Sequence, residues 1–212
     1  MAEPLTRVVI WRHGRTRWNQ ELRWQGQTDI ELDELGAAQA AAAAPALAAL
    51  APAKIVSSPL QRAFTTAGQL AALTGLEVAL DTRLIETDGG QWEGMVQHEI
   101  RAQFAAELQA WFTDSTVRAG VTGETRTELA ARFHAAVEEH HLPGESVVFT
   151  THGGVARAGL LSLLGLPLDN VSVFKVLYNC GWAILDRDDA TGRWRVSDYN
   201  LTAAAPEDER HL

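Results

Sequence analysis

The sequence predicts an α/β protein of three layers, a mainly parallel sheet with helices on both faces, in a single domain spanning residues 1–212. Two apolar runs carry that prediction. Val8-Val9-Ile10-Trp11-Arg12-His13-Gly14 reads as a buried strand that stops at a cation, an imidazole and a glycine. Ser146-Val147-Val148-Phe149-Thr150-Thr151 is a second β-branched run, and it too ends in His152-Gly153-Gly154. The third observation is that helix-like segments separate the strand-like ones, the alternation that builds parallel sheets. With 212 residues and 46% hydrophobic content, the chain can bury a substantial core.

The elements follow in order. Arg7 to Trp11 is the first strand, and the Ala-rich stretch Leu35 to Leu50 is a helix, with Gly36 near its start and Pro45 expected to bend or end it. Lys54 to Ser57 is a short strand running into Ser58-Pro59, where proline suits a first helical turn. The helix from Leu60 to Thr74 closes at Gly75, and Glu77 to Leu80 is β-like. Val96 to Thr113 and Glu124 to His141 read as helices; after the strand at 146–150, Val155 to Leu164 is a helix ended by Gly165-Leu166-Pro167. Val171 to Tyr178, Gly181 to Asp186 and Arg193 to Ser197 make a strand-rich tail, with Asp188-Asp189-Ala190-Thr191-Gly192 as its hairpin turn. Ala203 to Leu212 reads as a loose end.

Composition excludes several classes. A net charge of −9 argues against a general nucleic-acid binder. No segment is apolar enough to span a membrane, and the N-terminus lacks the basic start and apolar core of a signal peptide, so a cytoplasmic location is expected. The single Cys180 forms no internal disulfide framework or multi-cysteine zinc site. Glu138-Glu139-His140-His141 has a metal-like look, but adjacent helical residues point apart, which favours a solvated helix end. No metal and no cofactor are expected.

An acidic chain can still focus arginines in one cleft. Arg12 and His13 end the first strand, Arg62 lies in the first turn of the helix after the second, and His152 follows the later strand. Neighbouring strand ends would bring these side chains together with helix N-termini, which makes an anion site. Gly14, Gly153 and Gly154 would let backbone approach the ligand. Positive neighbours disfavour protonation of His13, so one ring nitrogen keeps a lone pair for attack on phosphorus. The arginines and His152 would then hold the charge on the transferring oxygens. A proton donor is still needed, and Glu86 is the candidate, with Asp88 and Glu93 as competitors.

The ordered blocks carry a resemblance. Arg12-His13-Gly14-Arg15-Thr16-Arg17-Trp18-Asn19, Gln25-Gly26-Gln27-Thr28-Asp29, Ser57-Ser58-Pro59-Leu60-Gln61-Arg62-Ala63, Glu86 with Gly90-Gln91-Trp92-Glu93-Gly94, and Thr151-His152-Gly153-Gly154 resemble the histidine phosphatase superfamily in its phosphoglycerate-mutase-like branch. The resemblance implies that fold, His13 as phosphorylated nucleophile, Glu86 as general acid/base, and Arg12, Arg62 and His152 as phosphate pocket. Asn19, Gln25, Gly26 and Gly153 fall at substrate-binding positions. It further implies a metal-independent phosphomonoesterase acting on a small phosphorylated metabolite, with actinobacterial sugar-phosphate phosphatases, glucosyl-3-phosphoglycerate among their substrates, the most similar group.

α-Ribazole phosphatases and broad-specificity acid phosphatases are neighbouring alternatives. A phosphoglycerate mutase is the runner-up, but the segment after Glu86 lacks the lysine and extra arginines of mutases, and no lysine lies between Lys54 and Lys175. A non-catalytic phospholigand-binding protein on the same fold is the third reading. Trp18, Trp24, Trp92 and Trp111 are candidate platforms for a sugar ring, although core packing is the commoner fate of each. A homodimer, built through the strand-rich tail, is the assembly the resemblance suggests.

Overall fold

The computed structural model describes residues 5–203. The closing stretch from 204 on, read above as a loose end, lies outside them. Thirteen labelled elements organise the chain. They are β1 (Thr6–Arg12), α1 (Arg17–Gln20), α2 (Glu34–Ala48), β2 (Lys54–Ser57), α3 (Gln61–Thr74), β3 (Val78–Leu80), α4 (Gln97–Gln103), α5 (Ala105–Thr113), α6 (Arg126–His140), β4 (Ser146–Thr151), α7 (Gly153–Leu163), β5 (Trp182–Asp188) and β6 (Arg193–Leu201).

The strands form one sheet in the order β3-β2-β4-β1-β5-β6. β3, β2, β4 and β1 pair in parallel, whereas β5 and β6 add an antiparallel hairpin on the β1 side. The three-layer expectation follows from strand periodicity. In β1, Val8 and Ile10 pack with α6 and α7, while Val9 and Trp11 pack with α2 and α3 on the opposite face. Both faces of the central strands are therefore covered, which is why those strands read as unbroken apolar runs.

The helices form for local reasons. Asp33 caps α2 by accepting from Gly36 N at 2.7 Å, and Gly36, Ala40, Ala43, Ala44 and Leu47 make its buried stripe. Pro45 does not end this helix. It lies on the exposed side, where water can satisfy the Ala41 carbonyl that loses its helical donor, and Leu47 still anchors the last turn. Pro59 precedes the Leu60 N-cap of α3 and so lies outside the first turn. Gly75 closes α3 at φ +73°, the left-handed cap expected of it.

The expected helix from 96 to 113 is two helices, broken at Phe104 (φ −130°, ψ 37°). Phe104 packs there against a separate small core of Trp92, Ile100, Trp111 and Ala119. The expected strand at 171–178 is instead a 3-10 turn over Leu168–Val173 followed by irregular chain. Its carbonyls are claimed by side chains: Arg157 bonds Val171 O, Arg12 bonds Leu177 O, and Tyr199 bonds Lys175 O. Arginine fork donors replace a strand ladder, so the segment bends around the end of the sheet. His140 and His141 do not form a solvated helix end. His140 Nε2 meets Asp81 Oδ2 at 2.9 Å, while His141 pairs with Arg187, so the two imidazoles serve different contacts.

Candidate active site

Three adjacent strands end together at the carboxyl edge of the sheet. Arg12 pairs with Thr151 across β1 and β4, and Ser57 with Thr150 across β2 and β4. The residues just beyond them, His13, Ser58 and His152, are thus delivered to one place. His13 is held by its backbone: its N–H donates to Thr151 O at 3.0 Å, and its carbonyl accepts from Cys180 N at 3.1 Å and Asn179 Nδ2 at 3.0 Å.

The His13 ring is buried, and its Nδ1 lies 2.7 Å from Gly14 O. A carbonyl only accepts, so Nδ1 carries the proton and Nε2 keeps its lone pair. Burial, and then the charges of Arg62 and Arg12, hold the His13 pKa well below the ordinary imidazole value. His152 is 5.1 Å away, ring centre to ring centre. Arg62 Nε donates to His152 Nδ1 at 3.2 Å, which leaves the ring's proton on Nε2, facing Ser58 Oγ at 2.9 Å. Burial first, then Arg62, lowers the His152 pKa as well, so both imidazoles are neutral.

Arg62 is fully buried. Its Nη1 donates to Thr28 O at 2.8 Å and its Nη2 to Gly26 O at 2.7 Å, and desolvation lowers its pKa to about 10. Those carbonyls come from the 25–28 loop, which Glu93 pins by accepting from Gln27 N at 2.9 Å and Thr28 Oγ1 at 2.9 Å. Gly26 sits at φ +52°, and a Cβ there would lie 2.0 Å from Glu93 Oε1. Glu93 therefore shapes the loop, and Asp88 accepts from Gly90 N at 2.9 Å as a turn residue.

Glu86 occupies the start of α7. The His152 N-cap makes no side-chain capping bond, and the Glu86 carboxylate supplies acceptors instead, taking Gly154 N at 3.1 Å and Val155 N at 3.2 Å. Thr87 N adds a further donor at 2.8 Å. A Cβ on Gly154 would lie 2.6 Å from Glu86 Oε1, so the second glycine makes room for this carboxylate. Arg132 fixes the Glu86 backbone by bonding Glu86 O at 3.1 Å while chelating Glu124 at 2.7 and 2.9 Å.

These groups line a cleft of about 220 Å³. Arg12, His13, Arg62, Glu86, Asn19, Gln25, Gly26 and Gly153 border it, and His152, 5.1 Å from His13 ring to ring, joins the same cluster through its bonds to Arg62 and Ser58. Asn19 Oδ1 caps α1, accepting from Thr16 N at 3.1 Å. The buried Gln25 Oε1 has no hydrogen-bond partner among the described residues. Gly14 differs from expectation: its missing side chain gives room to α2, because a Cβ would lie 2.3 Å from Gly36 O. Trp18, Trp24 and Trp111 border the cleft, but Trp111 is also a buried member of the small core with the fully buried Trp92, and Arg126 lies over its ring. Ser58, Thr87, Arg157 and Val176 were given no role by sequence reasoning. Arg157 had a signal, since it lies one helical turn after Gly153.

A neutral, oriented imidazole between two guanidinium groups at the carboxyl edge of an α/β sheet defines an enzyme for anionic phosphoryl groups. The chain belongs to the histidine phosphatase superfamily (branch 1), whose pattern matches residues 8–202. It is a phosphatase of that superfamily. It is similar to glucosyl-3-phosphoglycerate phosphatase of Mycobacterium tuberculosis (strain ATCC 25618 / H37Rv), 39% identical over 218 residues, covering 95% of this chain and 97% of the relative. The solved structure of mycobacterial glucosyl-3-phosphoglycerate phosphatase with VO3 superposes with TM-score 0.84 at 39% identity, covering 93% of this chain and 100% of that one. Phosphoserine phosphatase 1 of Hydrogenobacter thermophilus (strain DSM 6534 / IAM 12695 / TK-6) is 31% identical over 167 residues, 77% of this chain and 79% of the relative. Among the described residues no helix is long and apolar enough to cross a membrane.

Proposed function

We propose that the chain hydrolyses phosphomonoesters through a phosphohistidine on His13, without a metal ion, and that glucosyl-3-phosphoglycerate or a related phosphorylated sugar acid is its substrate. The observation that carries the reading is the state of His13, with its Nδ1 proton engaged by Gly14 O and its Nε2 lone pair on the cleft side, between Arg12 and Arg62. Nε2 attacks phosphorus, and the ester P–O bond breaks as Glu86 gives a proton to the departing alcohol oxygen. Water then attacks the phosphohistidine, losing its proton to the same carboxylate, and phosphate leaves with His13 neutral again. Arg12 and Arg62 stabilise the oxygens of the transferring group. His152 acts here by fixing Arg62, since both of its nitrogens already have partners.

The substrate preference rests on the 39% identity to the mycobacterial enzymes and on the cleft wall, where the partly exposed Trp18 and Trp24 would meet a sugar ring. Asn19, Gln25, Gly26 and Gly153 contribute to phosphate and substrate binding in this reading. The buried, unbonded Gln25 Oε1 supports it, because a ligand hydroxyl would satisfy that acceptor. We extend the proposal to one domain over the whole chain, a cytoplasmic location, and a homodimer paired along β6, the antiparallel edge strand.

Rapid mixing with a labelled ester, followed by an alkaline quench that preserves phosphohistidine, tests the first step. Label is expected on His13 in the wild type and none in His13→Ala, which should also lose turnover. Glu86→Gln should slow alkyl esters far more than activated aryl phosphates. Free phosphate released with no labelled protein would overturn the covalent route, and equal loss on both ester types would remove Glu86 as proton donor.

A further inference from the structure

Arg157 is a half-buried cation that pairs with no acid among the described residues. It projects from α7 into the wall of the cleft, four residues after Gly153, which by helical rise is about 6 Å along the axis from the phosphate end. Nε and Nη2 donate to Val171 O, at 3.3 and 2.7 Å. Nη1 makes no hydrogen bond among the described residues. No carboxylate pairs with Arg157 among the described residues, while Arg23, another cleft arginine, is paired with Glu21. Burial lowers the Arg157 pKa, and its charge in turn lowers that of the buried Arg126.

Keeping a desolvated guanidinium without a counter-ion is costly unless a ligand supplies one. We propose that Arg157 binds a carboxylate on the alcohol portion of the substrate, so that the cleft selects phosphomonoesters of hydroxy acids. A carboxylate fits better than a second phosphate, because Arg157 has one guanidinium nitrogen, Nη1, left to offer and shares this part of the lining with the apolar Val176, Trp111 and Phe112. This inference rests on the phosphatase reading of the same cleft and adds its specificity. Arg157 has no part in the phosphoryl transfer itself.

The test compares kcat/KM for 3-phosphoglycerate and glycerol 3-phosphate, which share a phosphorylated three-carbon skeleton and differ in the carboxylate. The wild type should prefer the acid. Arg157→Gln should lose at least tenfold more on the acid than on the alcohol, chiefly in KM, and Arg157→Lys should keep part of the preference because it retains the charge. Equal factors on both esters would mean that Arg157 only anchors Val171, and would overturn this inference alone. So would a wild type with no preference for the acid. Failure of the wild type to hydrolyse either ester, or p-nitrophenyl phosphate, would overturn the phosphatase reading and this inference with it.

Discussion

His13 and His152 are both buried at one sheet edge, and both are held neutral by burial and by Arg62. A base whose pKa falls on folding binds fewer protons folded than unfolded between the two values, so the stability tied to it is complete above the unfolded value near 6.5 and is lost as pH falls toward the lowered one. The urea midpoint should therefore drop on acidification from about pH 7 to about pH 5, and less so in a variant with both imidazoles replaced by Gln. The acid limb of kcat/KM should lie below 6.5, since unprotonated His13 persists there. An acid limb above 6.5 would contradict the neutral state assigned to His13. At this scale the sequence was informative about residue types and silent about tautomers. Two histidines ending two strands could be read off, but which nitrogen of each carries the proton depends on Gly14 O, Arg62 Nε and Ser58 Oγ.

Elements reach the site through close backbone approaches. Gly14 and Gly36 face each other where the loop after β1 crosses the start of α2, and a Cβ on Gly36 would lie 1.9 Å from Arg15 O. Gly36→Ala should destabilise by about 2–3 kcal/mol, the usual cost of forcing a rigid site apart, and lower Tm by roughly 4–12 °C. Gly68 is the control: it lies within α3 with nothing within 4 Å of a Cβ, so Gly68→Ala should stabilise by about 0.5–1 kcal/mol. Calorimetry of the two variants checks both signs. Periodicity located most elements because a sheet covered on both faces leaves continuous apolar strands, and caps such as Asp33 and Gly75 mark helix ends. It failed at Phe104 and at 171–178. No Gly or Pro announces the break at Phe104, and the β-branched Val171 and Val173 suggest a strand whose carbonyls are in fact taken by arginine and tyrosine side chains.

The whole molecule combines a net charge of −9 with a cleft whose wall carries Arg12, Arg23, Arg62 and Arg157. These arginines focus positive charge where an anionic ester would enter an otherwise acidic chain. The sheet ends in β6, a strand of nine residues with one open edge. Natural proteins cover or pair such edges, so sedimentation equilibrium should give the mass of two chains, and Val196→Pro should shift it toward one. A wild-type mass of one chain would remove the homodimer.

The sequence by itself determined the α/β layering, because strand and helix periods are written in the order of residues. It also determined the order of the site blocks, since a strand that ends in Arg-His-Gly can deliver those side chains only to a sheet edge. Tertiary structure decided the rest. Only in the fold does α7 offer its free N–H groups to Glu86, while loop N–H groups bond Asp88 and Glu93. Arg157 became a cleft residue only when the chain around Val171 folded against it, with Asp169 of that segment bonded to Ser115 N and not to Arg157. Both outcomes depend on which partners arrive from distant parts of the chain, and local sequence carries no record of them.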